Sequence, residues 1–203
     1  MNHQFETSEY PVPVDNPYFF SNFFSQKVNL NIIKVPFPIL KAKANRTDLL
    51  NGTCNGQNAR LLISDKLKAI LEKYHHPGLQ FIETHITHKG QIYNNYWFTN
   101  HFIFDTDKID YDKSGIFLFN KLDFGFKFKL AFPNENAFQD YLKKLEFPNT
   151  VRIEKPVFKT LNNNLLILYP VNGAVGYYVS EQLKKEIEDA GCTGIDFEEV
   201  EQG

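Results

Sequence analysis

Residues 61–84, LLISDKLKAILEKYHHPGLQFIET, recur at residues 177–200 as YYVSEQLKKEIEDAGCTGIDFEEV, aligned without a gap. Ser64, Leu67, Lys68, Glu72, Gly78, Phe81 and Glu83 are matched by Ser180, Leu183, Lys184, Glu188, Gly194, Phe197 and Glu199, and Ile63, Leu71 and Leu79 have apolar counterparts in Val179, Ile187 and Ile195. In the first copy Leu61 to Ile63 reads as a short strand. Ser64 then offers a side-chain oxygen to the free amides of a following turn, and Asp65 places negative charge at the positive end of a helix dipole. Leu67, Ile70, Leu71 and Tyr74 fall at i, i+3, i+4 and i+7 and form one apolar face, and Pro77-Gly78 ends the helix before Leu79 to Ile86 resumes as a strand. The second copy repeats the plan, with Ser180 as cap, Leu183, Ile187 and Ala190 as the face, and Gly191 as the left-handed terminator. Each copy therefore predicts strand, cap, helix, glycine turn and strand.

Outward from the repeat the chain is mostly sheet. Leu122, Phe124, Phe126, Phe128 and Leu130 alternate with Lys121, Asp123, Gly125, Lys127 and Lys129, which predicts one long strand with aromatics on one face and charge on the other. Asn134 caps a helix whose stripe is Phe138, Tyr141, Leu142 and Leu145, closed by Pro148. Leu165 to Tyr169 reads as a buried strand, and Asn172-Gly173 as a hairpin turn into Val175 to Val179. Val28, Leu30 and Ile32 alternate with Asn29 and Asn31 as a further strand before Pro36 and Pro38. Pro11, Pro13 and Pro17 precede an aromatic cluster from Tyr18 to Phe24, so residues 1–26 read as an extended arm, and residues 27–203 as a single domain. The mixture is neither regular βαβ nor all-β. It predicts an α+β fold, a mixed and mostly antiparallel sheet with a few helices and two strand-helix-strand units.

A chain of 203 residues can bury a core without metal or disulfide. Its 22 basic and 24 acidic residues nearly cancel, which leaves no global field toward nucleic acid or an anionic membrane. Twenty Phe and ten Tyr against one Trp and one Met favour aromatic sheet surfaces. Cys54 and Cys192 are too few for a disulfide framework, and no run of about eighteen apolar residues occurs, so the expectation is a cytoplasmic protein without membrane contact.

Candidate chemistry is sparse. Asp110-x-Asp112-x-Ser114-Gly115 opens like a calcium loop, but its twelfth position is Lys121 instead of a bidentate glutamate, so with Asp105 and Asp107 it reads as a solvated acidic loop. His75-His76 sit at a helix end, and in a strand His85 and His88 project to opposite faces, which does not build a zinc site. Cys192 follows a helix C-terminus, where a thiolate is disfavoured, whereas Cys54 in a glycine-bearing loop, paired with a histidine, is the one nucleophile an enzyme reading could use. Lys127, Lys129, Lys143 and Lys144 are basic, but aromatics on the opposite face of their own strand would not act with them. Tyr96-Trp97-Phe98 reads as strand-borne core. Asp196, Glu198, Glu199 and Glu201 protect an edge strand or meet a basic partner. No cofactor or metal motif is present in the sequence.

The closing stretch, Val179-Ser180-Glu181-Gln182-Leu183-Lys184 through Ala190-Gly191-Cys192-Thr193-Gly194-Ile195-Asp196-Phe197-Glu198-Glu199-Val200, resembles the C-terminal signature of a bacterial polymorphic-toxin immunity protein family. Thr47-Asp48-Leu49-Leu50 and Asp110-Tyr111-Asp112-Lys113-Ser114 resemble upstream segments of such sequences. The resemblance implies a protein that binds and neutralises a cognate toxin without catalysis. Under it the acidic residues Asp105, Asp107, Asp110, Asp112, Asp196, Glu198 and Glu201 are the expected partner surface. A hydrolase-like enzyme using Cys54 with a histidine, and a ligand-binding or structural domain, are the alternatives.

Overall fold

The repeat is a structural duplication, and it reaches further back than the sequence match. The structure, a computed structural model, describes residues 5–11, 13, 16–19, 25–51, 60–123, 125–159, 163–171 and 174–200. The fold is α+β, built on two mixed sheets. In chain order the strands are β1 (Phe5–Glu9), β2 (Phe37–Leu40), β3 (Leu49–Asn51), β4 (Leu61–Ser64), β5 (Leu79–His88), β6 (Gln91–His101), β7 (Gly115–Asn120), β8 (Lys127–Leu130), β9 (Asn149–Lys155), β10 (Leu165–Val171) and β11 (Ala174–Val179). The helices are α1 (Asp65–Lys73), α2 (Glu135–Lys143) and α3 (Glu181–Asp189).

The chain divides into two compact units: residues 1–103 with 181–196, and residues 104–180 with 197–203. The second copy is thus shared out, its hairpin in one unit and its helix in the other. In the first unit the strand order is β1-β2-β5-β6-β4-β3, and in the second β11-β10-β9-β7-β8. Each sheet has one parallel contact, β2 with β5 and β10 with β9, and is otherwise antiparallel.

Register shows how close the copies are. Leu49, Leu50 and Asn51 face Ile63, Leu62 and Leu61; Leu165, Leu166 and Ile167 face Val179, Tyr178 and Tyr177, the same pairs displaced by one constant offset. At the strand-to-helix junction Ser64 N donates to Asp48 O at 2.8 Å and Ser64 Oγ to Asp48 Oδ1 at 2.7 Å. In the second copy Ser180 N donates to Asn164 O at 2.9 Å and Ser180 Oγ to Asn164 Oδ1 at 2.6 Å. The partner lies sixteen residues before each serine. Ser64 also caps α1 by accepting from Leu67 N.

The helices end alike. His75 at φ 39° and Gly191 at φ 63° hold the left-handed position after α1 and α3, with amides returning to Glu72 and Glu188. The two matched glycines do different work. Gly78 is packed so closely on Ile103 that a Cβ would lie 2.4 Å from that residue's Cβ, while Gly194, at φ 82°, would place one 2.5 Å from the Leu49 carbonyl oxygen.

After this point the copies diverge. β4, α1 and β5 form a crossover whose two strands straddle the antiparallel β6. Residues 195–200 do not form the strand expected of the second copy; instead the second crossover is β8, α2 and β9, straddling β7. Three further expectations are corrected. Residues 28–32 form no strand: 30–32 turn, with Leu30 and Ile32 exposed, because Ile32 and Ile33 amides both return to Asn29. Of the long strand expected over 121–130 only β8, Lys127–Leu130, forms, since Asn120 and Asp123 side chains bind the amides of Leu122, Asp123 and Gly125 and turn the chain before it. Ala190 is exposed, one residue past the end of α3, whose buried residues are Leu183 and Ile187.

Each unit has its own core. Leu40, Leu50, Leu62, Ile82, Ile86, Tyr96 and Phe98 fill the first, and Ile109, Tyr111, Ile116, Phe138, Ile153, Phe158, Leu166 and Leu168 the second. No helix among the described residues is long and apolar enough to cross a membrane.

The matched helix ends yield predictions of opposite sign. His75→Gly relieves a left-handed side-chain residue and raises stability by up to about 1 kcal/mol, net of the chain entropy glycine adds. Gly194→Ala forces a Cβ into the Leu49 carbonyl at positive φ and lowers stability by about 2–3 kcal/mol. Equilibrium urea denaturation reads both, and equal midpoints for the two variants would refute the assignment of these turns.

Candidate interaction face

Residues on a strand alternate between faces, and directly paired residues share one. In β7, Ile116 and Leu118 turn into the core beneath α2, so Phe117 and Phe119 turn outward. β8 places Lys129 opposite Phe117 and Lys127 opposite Phe119; β9 places Arg152 opposite Phe117 and Thr150 opposite Phe119. Six side chains from three strands therefore share the outer face. The two rings meet edge to face, with centroids 6.5 Å apart. Lys127 Nζ lies 4.1 Å from the Phe117 centroid and 5.6 Å from that of Phe119, and the Arg152 guanidinium lies 4.6 Å from the Phe119 centroid.

The charges on this face are unequal. Lys127 is paired with Glu154 at 2.6 Å. Arg152 Nε is buried without a hydrogen-bond partner, and Lys129, which is exposed, forms no ion pair with another described residue. Two cations are thus left without a counter-charge among the described residues, Arg152 over the Phe119 ring and Lys129 paired in register with Phe117. The basic residues Lys127 and Lys129 do act with aromatics after all: the rings come from the neighbouring strand, while Phe126 and Phe128 of their own segment lie elsewhere and are 41% and 60% exposed.

Exposed apolar side chains flank this face. Lys121 N donates to Pro148 O at 2.8 Å, which sets the β7–β8 turn beside the α2–β9 turn. Leu122 and Phe147, from these two turns, are 71% and 74% exposed.

The acidic residues expected to meet a partner are dispersed. Asp105 is buried and structural: its carboxylate accepts from Ile167 N at 2.7 Å, and its amide donates to Ile167 O. Asp107 is exposed and paired with Lys108; Asp110 accepts from Lys113 N and pairs with Lys113; Asp112 is exposed. The calcium-like loop is braced by Ser114, whose hydroxyl donates to Asp110 O and accepts from Val157 N. Asp196 and Glu198 are exposed but fall in different units, and Glu201 lies outside the described residues.

Cys54 also lies outside the described residues. Cys192 is half-buried, and burial, with Asp48 adding to it against Lys66, pushes its thiol above the ordinary value. His75 and His76, with Leu71, Glu72, Leu79 and Phe81, line a cleft of about 260 Å³. His76 Nδ1 accepts from Gly78 N, so that lone pair is engaged in closing the turn. His85 stacks on Phe37 at 4.0 Å, while His88 is buried on the opposite face of β5. No group of three or more His, Cys, Asp or Glu among the described residues is placed to hold a metal. Trp97, half-buried, donates to Asp65 and lies under Lys68 Nζ at 4.3 Å, so it braces α1.

No protein-family model matches the chain, and no curated protein matches it significantly.

His101 supplies a pH signature for the first unit. Burial first, then the charge of Arg60 and the neighbouring His76, lowers its pKa from 6.5 to about 3. The unfolded chain takes a proton near 6.5 that the folded chain refuses until about 3, so stability falls as pH drops through that window. His101→Asn flattens this slope by about one proton. Urea midpoints measured from neutral pH down to about 4 check it; unchanged slopes would place the sensitivity elsewhere.

Proposed function

We propose that the chain is an immunity-type protein that binds and neutralises a cognate bacterial toxin by covering it, without chemistry of its own. The reading rests on the likeness of residues 179–200 to an immunity-protein signature, and on one geometric observation, the Phe117–Phe119 face. A half-open sheet surface carrying aromatic carbon and uncompensated cations suits a broad macromolecular contact better than an enclosed small-molecule site. The matched serines, glycines and paired strand residues have structural tasks in register, capping or turn geometry, which supports reading the duplicated units as scaffold, with the contact surface on strands outside the sequence match. A toxin and its inhibitor meet inside the producing cell, which places the proposed action in the cytoplasm.

Co-expression with the toxin encoded beside this chain restores growth, and single variants Cys54→Ala, His75→Ala and His76→Ala protect as well as the parent chain when expressed at equal soluble levels. Loss of protection on Cys54→Ala in a folded protein would instead support the hydrolase reading, and continued killing in the presence of the soluble parent chain would sink the immunity reading.

A further inference from the structure

We infer that the outer face of β7, β8 and β9 docks a carboxylate-rich patch on a protein partner, with Arg152 and Lys129 as its charged contacts and Phe117 and Phe119 as the apolar floor. The inference deepens the proposed function and rests on it in one respect, that the chain works by binding a protein.

Charge complementarity identifies the occupant. The face presents Lys127, Lys129 and Arg152 against one carboxylate, Glu154, which engages only Lys127. Lysines on an edge strand have a simpler use in blocking unwanted pairing, and β8 is an edge. That use does not account for Arg152, which lies on β9 between β7 and β10 and has a buried Nε with no acceptor. The Nε itself is closed to solvent, so a docking carboxylate meets the part of the half-buried Arg152 side chain that stays accessible, and pairing there supplies the counter-charge the free protein lacks. Arginine over an aromatic ring, with few carboxylates nearby, is also the composition that contact surfaces concentrate.

The same geometry argues against a nucleic acid. Aromatic residues two apart on a strand beside basic groups can serve as a base-stacking platform, but stacking needs bare ring faces. Here Lys127 and Arg152 already occupy the ring faces, at 4.1 and 4.6 Å from the centroids of Phe117 and Phe119. A base would have to displace cations, whereas a carboxylate meets them where they stand. Held over the rings, the cations have also lost part of their rotamer freedom before binding, which lowers the entropic cost of docking.

The test is fluorescence anisotropy at low salt with the full chain and two probes, a short labelled polyglutamate peptide and an oligodeoxythymidylate of equal charge. The Lys129→Gln/Arg152→Gln double variant is expected to lose about tenfold or more in affinity for the peptide, while Lys143→Gln, a neutralisation on the exposed outer side of α2, leaves it within about twofold. Circular dichroism confirms that each variant is folded, and Lys129→Gln alone, at an exposed position, provides the fallback if the double variant is not. Equal peptide binding by all variants overturns the inference. So does tighter binding of the oligonucleotide that is lost on Phe119→Ala, which would assign the face to nucleic acid. The growth assay separates this claim from the proposed function. Protection with peptide binding indifferent to Arg152 and Lys129 keeps the immunity reading and removes the face. Peptide binding that depends on them without protection keeps the face and removes the toxin.

Discussion

The hydrogen bond from a serine hydroxyl to an Asx side chain at the strand-to-helix junction organises both copies of the repeat. Ser64 is the last residue of β4 and Ser180 follows β11, each precedes a helix by one residue, and each is tied through backbone and side chain to the residue just before the partner strand, Asp48 or Asn164. That double tie pins hairpin register at the point where the helix begins. A slip of one residue would turn every buried side chain of β4 to the wrong face. Leu62 and Ile63 are both fully buried, so the tie holds in place a strand that has no solvent face to spare.

A difference between the copies at this junction is an ionisable group. Asp48 has a second oxygen, Oδ2, which accepts from Thr193 N at 2.9 Å and Thr193 Oγ1 at 3.1 Å and pairs with Lys66 at 3.1 Å. Burial pushes the Asp48 carboxyl up, but the bonds from Ser64, Thr193 and Lys66 together outweigh it and hold the group below its ordinary value. Hydrogen bonds to a charged acceptor contribute about 1.5–3 kcal/mol each, so this oxygen is a strong local anchor for the turn after α3. Lys66 Nζ to Gly191 O and the Lys73 and Tyr74 contacts to Glu186 extend the same seam between α1 and α3. A charged carboxylate at 48 and a neutral amide at 164 thus give one motif two uses, a junction alone and a junction that also gathers a second helix.

Local chemistry made much of this scaffold legible in the sequence. The helix over Asp65–Lys73 followed from Ser64, Asp65 and the spacing of Leu67, Ile70 and Leu71; α2 from Asn134 and the stripe led by Phe138; β10 from its unbroken apolar run. What escaped were features decided by pairing partners distant in sequence. The Asp48 and Asn164 ties need residues brought together by a hairpin, and the β5–β6 hairpin turns on Lys89-Gly90, both at positive φ, where only the glycine was a visible signal. The period-two pattern over 121–130 was genuine, but Asn120 and Asp123 supply competing side-chain bonds to the backbone that the alternation alone does not register. Residues 195–200 kept the apolar-x-Phe spacing of a strand without acquiring the neighbour that makes one.

The candidate face shows the same limit in its sharpest form. Reading one strand at a time places Phe126 and Phe128 opposite Lys127 and Lys129 and concludes that ring and charge are separated. That conclusion is correct for β8 and wrong for the sheet, because alternation fixes which residues of a strand share a face and leaves open what the adjacent strand contributes to it. The Phe119–Lys127 and Phe117–Arg152 pairings are products of register between three strands, and only register converts two unremarkable runs, Phe117-Leu118-Phe119 and Arg152-Ile153-Glu154, into one surface. The duplicated units and this surface therefore divide the molecule's tasks. The residues repeated in sequence are those whose roles are local and must recur, whereas the face arises where strands outside the repeat meet, and its composition can change without disturbing the junctions that hold the fold.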